Sequence, residues 1–212
     1  MSSEKRSRPL KRKTPATRTS SKKTRKSRAI AARKRSTEPA SSRPRVAYLA
    51  LGSNVGDRRA HLIRALTEIG RFAPLRRVSA FYRTDPVGYT EQRRFWNAVA
   101  EIPWAGSAEA LLKAVKEVER RGGRVPTFAG GPREIDVDIL DLGSLVRARN
   151  PILPHPRLAG RRFVLAPLAE IAKEWKHPVT GLSAKQMLAE LPARPGVWRI
   201  RDGPRANSVL PS

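Results

Sequence analysis

There is no cysteine in the 212 residues. That excludes a disulfide framework, a thiolate metal site and a cysteine nucleophile, and leaves oxygen or histidine to hold any metal. Long apolar runs are missing too. None approaches the ~18 residues that a membrane helix needs, and the N-terminus lacks the apolar stretch of a secretory signal. A soluble, cytoplasmic protein with no membrane partner is the expectation. Acids are scarce, 18 Asp plus Glu against 44 Lys plus Arg, for a formal net charge of +26. Also absent is G-x-x-x-x-G-K-[ST], so a P-loop cannot be the source of any phosphate binding.

Aromatic residues make up 6% of the chain, and none lies in residues 1–45. In that segment the only large apolar side chains after Met1 are Leu10 and Ile30, and 17 basic residues face two acids, Glu4 and Glu38, a formal +15. So little apolar surface cannot offset the entropy of ordering. The expected organisation is a disordered basic tail over 1–45 and one folded domain over 46–212. Such a tail suits nonspecific binding of polyanions by counterion release. It lacks the amphipathic face of a transit peptide.

After the tail the chain becomes patterned. Val46 to Leu51 is a β-rich apolar run stopped by Gly52-Ser53-Asn54, and after Asp57 the spacing of Leu62, Ile63, Leu66 and Ile69 predicts a helix. Leu75–Tyr82 and Phe95–Ile102 read as the second and third strands. Ser107 caps a helix whose Leu111, Leu112, Val115 and Val118 share one face, and Gly122-Gly123 ends it. Ile135–Leu142 is a fourth strand. Phe163–Ile171 is an apolar stretch passing into a short helix, Ser183–Leu191 another helix, and Val197–Ile200 a last strand. The order β-α-β-β-α-β predicts an α+β, ferredoxin-like sandwich, a mainly antiparallel sheet with helices packed on it.

Strand alternation puts Ile135, Val137 and Ile139 on one face and Asp136 and Asp138 together on the other. Two neighbouring carboxylates repel unless something positive lies between them. Mg²⁺ takes one or two carboxylates plus substrate phosphates, so the pair is a candidate metal site. By itself it reads more readily as a solvated strand face with two acids. Upstream lie Glu119, Arg124 and Gly130-Gly131-Pro132-Arg133, and guanidinium groups held by loops beside a metal suit a polyphosphate.

The ordered set Y-L-A-L-G-S-N (48–54), F-Y-R-T-D-P-V-G (81–88), F-W-N-A-V (95–99), E-R-R-G-G-R (119–124), G-P-R-E-I-D-V-D-I-L (131–140) and L-P-H-P-R-L-A-G-R-R-F-V-L-x-P-L (153–168) closely resembles the 6-hydroxymethyl-7,8-dihydropterin pyrophosphokinases of folate biosynthesis. G-P-R-x-x-D-x-D-I followed by P-H-P-x-x-x-x-R-x-F is the specific part, and the likeness runs from about 46 to 200. The resemblance implies an enzyme that moves the terminal diphosphate of ATP, its co-substrate, to the pterin's hydroxymethyl group with two Mg²⁺ ions and releases AMP. It assigns Asp136 and Asp138 to metal, and Arg124 and Arg133 to phosphate contact and catalysis. A carboxylate near the alcohol can accept its proton, and Asp138, the better placed of the pair, is the third catalytic candidate. Glu119, Arg124, Arg133, His155 and Arg161 match ATP positions, and Thr84, Val87, Phe95, Asn97 and Phe163 match the pterin pocket. Two departures stand out. Gly130 replaces a common Trp, and Asp85 stands where Pro is common. A rival reading, a nucleic-acid-binding protein on the same kind of sheet, lacks the aromatic signature that would stack bases.

Overall fold

The computed structural model describes residues 43–201 except 126 and 129. Nearly all of the predicted tail lies outside the described residues. The elements are β1 (Arg45–Ser53), α1 (Arg58–Gly70), β2 (Arg77–Val78), β3 (Tyr82–Thr84), β4 (Phe95–Trp104), α2 (Ala108–Arg121), β5 (Asp136–Leu142), α3 (Arg162–Ile171), α4 (Ala184–Glu190) and β6 (Val197–Arg199). The strands run in the order β5-β1-β4-β3-β6 with every pairing antiparallel, and β2 pairs with β4. This is the expected ferredoxin-like arrangement with β6 added beside β3.

Local chemistry places the helices. The side chains of Asp57, Ser107 and Ser183 accept backbone N–H bonds from Ala60, Ala110 and Gln186. Each cap satisfies a donor that would otherwise be orphaned, and losing one typically costs about 1 kcal/mol. Gln186 closes a capping box at α4. In the first turn of α2, Glu109 pairs with Arg147 at 2.5 Å.

Both sheet faces are covered, which explains why β1 reads as almost continuously apolar. On one face Leu49, Leu51, Ile102 and Val137 pack with Leu62, Leu66, Leu111 and Val115 of α1 and α2. On the other, Tyr48, Val99 and Leu140 pack with Leu165, Leu168 and Met187 of α3 and α4. The latter two helices cover only part of that face.

One expected strand is divided. Leu75–Tyr82 becomes β2 and β3, separated at Ser79–Phe81. The Ser79 hydroxyl accepts from Val99 N at 3.0 Å and donates to Ala80 O at 2.8 Å, and Ala80 N donates to Glu170 Oε2 at 3.2 Å. Side-chain oxygens thus take the places of ladder partners, and the backbone leaves strand geometry without stranding its donors.

Candidate active site

The uncovered end of the α3 face carries the candidate residues. In β5, Ile135 precedes the strand and is fully buried with Val137, while Asp136 and Asp138 point to the other face. Pairing register sets Asp136 opposite Gly52 and Gly52 opposite Asn97. Three strands therefore present a carboxylate, a gap and a carboxamide in one row. A Cβ at Gly52 would meet Asn97 Oδ1 at 2.8 Å, so only glycine leaves that amide where it is.

Asp136 is held from two sides. Its Oδ1 lies 2.8 Å from Arg124 and its Oδ2 lies 2.8 Å from Arg133. Burial alone would raise its pKa, but Arg133, Arg124 and Lys116 together hold the carboxyl below the usual range. Glu119 sits beneath, 3% exposed. It accepts from Val137 N at 2.8 Å, pairs with Lys116 at 2.8 Å and takes Arg124 at 2.5 Å. The arrangement makes Glu119 an anchor that aims Arg124 and ties α2 to β5.

Asp138 faces a second group. His155 Nε2 is 3.7 Å and Arg161 3.6 Å from its Oδ2. His155 Nδ1 accepts from Arg157 N at 3.1 Å, which places the neutral ring's proton on Nε2, toward Asp138. Burial lowers the imidazole pKa, opposed by Asp138, so the ring stays neutral near pH 7. Its backbone N–H donates to Leu140 O at 2.8 Å and fixes the loop against β5.

Among the described residues no three His, Cys, Asp or Glu side chains converge closely enough to hold a metal unaided. Two carboxylates separated by one residue fit a hard cation that draws its remaining ligands from phosphate and water, the usual habit of Mg²⁺. The donor set fits the group the sequence implies.

The neutral end of the row is already assembled. Asn97 Nδ2 donates to Thr84 Oγ1 at 2.7 Å, and both residues are buried. Phe95 and Phe163 are only half-buried, although either would read as core from sequence alone. Each ring carries a guanidinium, Arg133 at 5.9 Å over Phe95 and Arg161 at 5.4 Å over Phe163. Val87 lies on the exposed loop between β3 and β4. All the site residues except Val87 are at least half-buried.

Some contributors are not singled out by the sequence reading. Buried Asn54 joins two loops, since its N–H donates to Arg133 O at 3.1 Å, its Oδ1 accepts from Arg133 N at 2.8 Å, and its Nδ2 donates to Gln92 Oε1 at 2.8 Å. Gln92 in turn donates to Gly130 O at 2.9 Å and Tyr89 O at 2.6 Å. Tyr89 and Phe128 meet edge to face with centroids 5.1 Å apart. The loop after α2 and the loop after β3 thereby touch at their outer ends. Gly123 and Gly130 both have φ of +79°, a conformation that suits glycine, and this bears on the missing Trp at position 130. The loop's aromatic side chain is Phe128. Of these residues only Asn54, within G-S-N, left a readable signal.

Known proteins sharpen the picture. Residues 48–173 match the family model described as 7,8-dihydro-6-hydroxymethylpterin-pyrophosphokinase (HPPK). A 2-amino-4-hydroxy-6-hydroxymethyldihydropteridine pyrophosphokinase of Bacillus subtilis is 39% identical over 161 residues, covering 74% of this chain and 93% of that protein. One of the same name from Methylorubrum extorquens is 40% identical over 148 residues, covering 68% and 92%. Folic acid synthesis protein FOL1 of Dictyostelium discoideum is 32% identical over 165 residues, 77% of this chain but 25% of that longer protein. Among solved structures, wild-type HPPK-DHPS of Plasmodium falciparum superposes with a TM-score of 0.56 at 13% identity, covering 72% of this chain and 45% of that one, a likeness of fold. With a match over most of the described domain, and relatives at up to 40% identity covered over more than nine-tenths of their own length, this chain belongs to the 7,8-dihydro-6-hydroxymethylpterin-pyrophosphokinase family.

Proposed function

We propose that the chain transfers the terminal diphosphate of ATP to the hydroxymethyl group of 6-hydroxymethyl-7,8-dihydropterin in folate biosynthesis. The hydroxymethyl oxygen attacks the β-phosphorus, the bond from that phosphorus to the oxygen bridging to the α-phosphorus breaks, and AMP leaves. One observation carries the reading. In a member of this family, Asp136 with its two arginines shares a row with Asn97 across Gly52, so a charged end and a carboxamide end lie on one face of the sheet.

The alcohol is a weak neutral nucleophile, so rate must come from alignment and from neutralising phosphoryl oxygens. Arg124 and Arg133 turn from Asp136 to the phosphates, for which their forked N–H groups are suited. Asp136 and Asp138 are then free to hold Mg²⁺, two ions by family resemblance, and Mg²⁺ supplies charge neutralisation and a fixed phosphate geometry. Arg161 and His155 Nε2–H bind phosphate oxygens on the Asp138 side, and Glu119 keeps Arg124 aimed. Asn97 and Thr84 read the polar edge of the pterin, Phe95 and Phe163 flank its faces, and Val87 closes over it. Asp138 accepts the alcohol's proton.

The setting is cytoplasmic in this reading, and the basic segment before β1 binds polyanions nonspecifically, with log K falling by roughly 0.9 per phosphate neutralised on duplex DNA as log salt rises. The deciding assay for the reaction is nucleotide analysis after incubation with ATP, Mg²⁺ and the dihydropterin. AMP should form only when pterin and Mg²⁺ are both present. Pterin-dependent ADP would refute diphosphate transfer.

A further inference from the structure

We propose that Asp85 is a positioning residue for the pterin-binding loop, which it fastens to the C-terminal strand β6; this rests on the diphosphotransferase reading above. Asp85 directly follows Thr84 and opens the loop that carries Val87. Its backbone N–H donates to Gly196 O at 3.1 Å and its Oδ2 accepts from Gly196 N at 3.0 Å, so one residue closes a two-point ring with the approach to β6. Its other oxygen, Oδ1, takes Arg94 Nε at 2.9 Å. Arg94 stands at the far end of the same loop, just before Phe95. A single carboxylate thus clasps both ends of the loop and the segment crossing beside them.

The crossing segment is fitted to this task. Strand β6 pairs with β3 through Thr84↔Val197, Arg83↔Trp198 and Tyr82↔Arg199, and Ile200 N donates to Phe81 O at 2.8 Å. The Trp198 ring carries two guanidinium groups, Arg94 at 5.0 Å and Arg83 at 5.4 Å. A Cβ at Gly196 would meet the Trp198 ring at 2.3 Å and Asp85 Oδ2 at 3.0 Å, so the close approach requires glycine. The Gly196 N–H, and behind it Arg94, hold the Asp85 carboxyl below the usual range against the opposing effect of burial. A proline at this position would have no N–H for Gly196 O and no acceptor for Gly196 N or Arg94.

The middle of the loop is secured separately, by Asn54 and Gln92. With its ends fixed by Asp85, the loop loses less freedom when it closes on pterin, and that gain appears in pterin binding rather than in the phosphoryl step. The half-exposed Asp85–Arg94 ion pair contributes little by charge alone. The Gly196 bond is what the carboxylate adds.

The test varies each substrate in steady state for the full chain and its D85A, D85N, W198A and D85A/W198A variants, with thermal melts in parallel. D85A should raise the pterin KM about five- to tenfold, the size of one ordinary hydrogen bond, with kcat and the ATP KM within about twofold. D85N keeps an acceptor for Gly196 and should recover most of the loss. W198A should raise the pterin KM by less, and the double variant should be no worse than about D85A alone, because both changes undo one fastening. An unchanged pterin KM in D85A, or a loss spread equally over both substrates and kcat, would overturn the role. A wild-type chain that makes no pterin-dependent AMP would instead overturn the reaction, and this role with it.

Discussion

At the acidic end of the candidate site the carboxylates already have opposite charges for company, whereas at the end proposed for the pterin Asn97 and Thr84 are paired with each other and neutral. Asp136 is gripped by Arg124 and Arg133, and Asp138 faces Arg161 and His155. Asn97 and Thr84 form a buried neutral pair between adjacent strands. In the proposed reaction the first end exchanges partners when a polyphosphate arrives, and the second only has to receive a ring. Charged groups are thus kept satisfied without ligand at the cost of a rearrangement, while shape recognition is built into the sheet.

The largest expected effects come from removing the charges that rearrange. Asp136→Ala and Asp138→Ala should each lower kcat by on the order of 10²–10³, with far-ultraviolet circular dichroism unchanged, because phosphate charge is left without its counter-ion. Near-normal turnover in either would erase the contrast between the two ends. Arg133→Ala should lower kcat by about 10²-fold and raise the ATP KM far less, as expected for a group that acts mainly in the transition state. A variant altered only in KM would mean that Arg133 merely binds.

At the neutral end the signature should be the reverse. Asn97→Ala deletes one buried hydrogen-bonding group, which is worth about 1–3 kcal/mol, so the pterin KM should rise about 10- to 100-fold while the ATP KM stays put. Isothermal titration with pterin and an ATP analogue, each alone, distinguishes the two ends directly.

The smallest effect lies away from the candidate site and serves as a control. The Arg147 hydrogen bond, opposed by burial, holds the Glu109 carboxyl down to about 2. A carboxyl with a depressed pKa stabilises the fold above its unfolded-state value and loses that contribution as pH falls through the folded one. Glu109 is more than a third exposed, so solvent screening keeps the contribution small. Melts of Glu109→Gln should show a Tm at most about 2–4 °C below wild type at pH 7, with the gap closing between about pH 5 and 2. Turnover should be unaffected.

Much of the framework was legible because its causes are local. Asp57, Ser107 and Ser183 announce helix starts, and the alternation of Ile135, Asp136, Val137 and Asp138 assigns each side chain its face before any partner strand is known. Family resemblance, rather than periodicity, drew Phe95 and Phe163 out of the core, and both side chains are half-buried. What could not be read depends on partners distant in sequence. The division at Ser79 needs the Glu170 carboxylate from α3, 90 residues away at its bond to Ala80. The Asn54–Gln92–Gly130 contacts need two loops to meet. Asp85 looks like a stray acid until Gly196 is brought 111 residues round to receive it.

The row Asp136–Gly52–Asn97 works as a ruler. Its length is two inter-strand spacings, about 9–10 Å, and backbone hydrogen bonds rather than side-chain packing fix that interval. Core substitutions that tilt α3 or loosen α1 leave the interval untouched, because the spacing between ladder-bonded strands does not stretch by degrees. The separation between the positions proposed to read a pterin and to hold a metal therefore survives until the sheet itself comes apart.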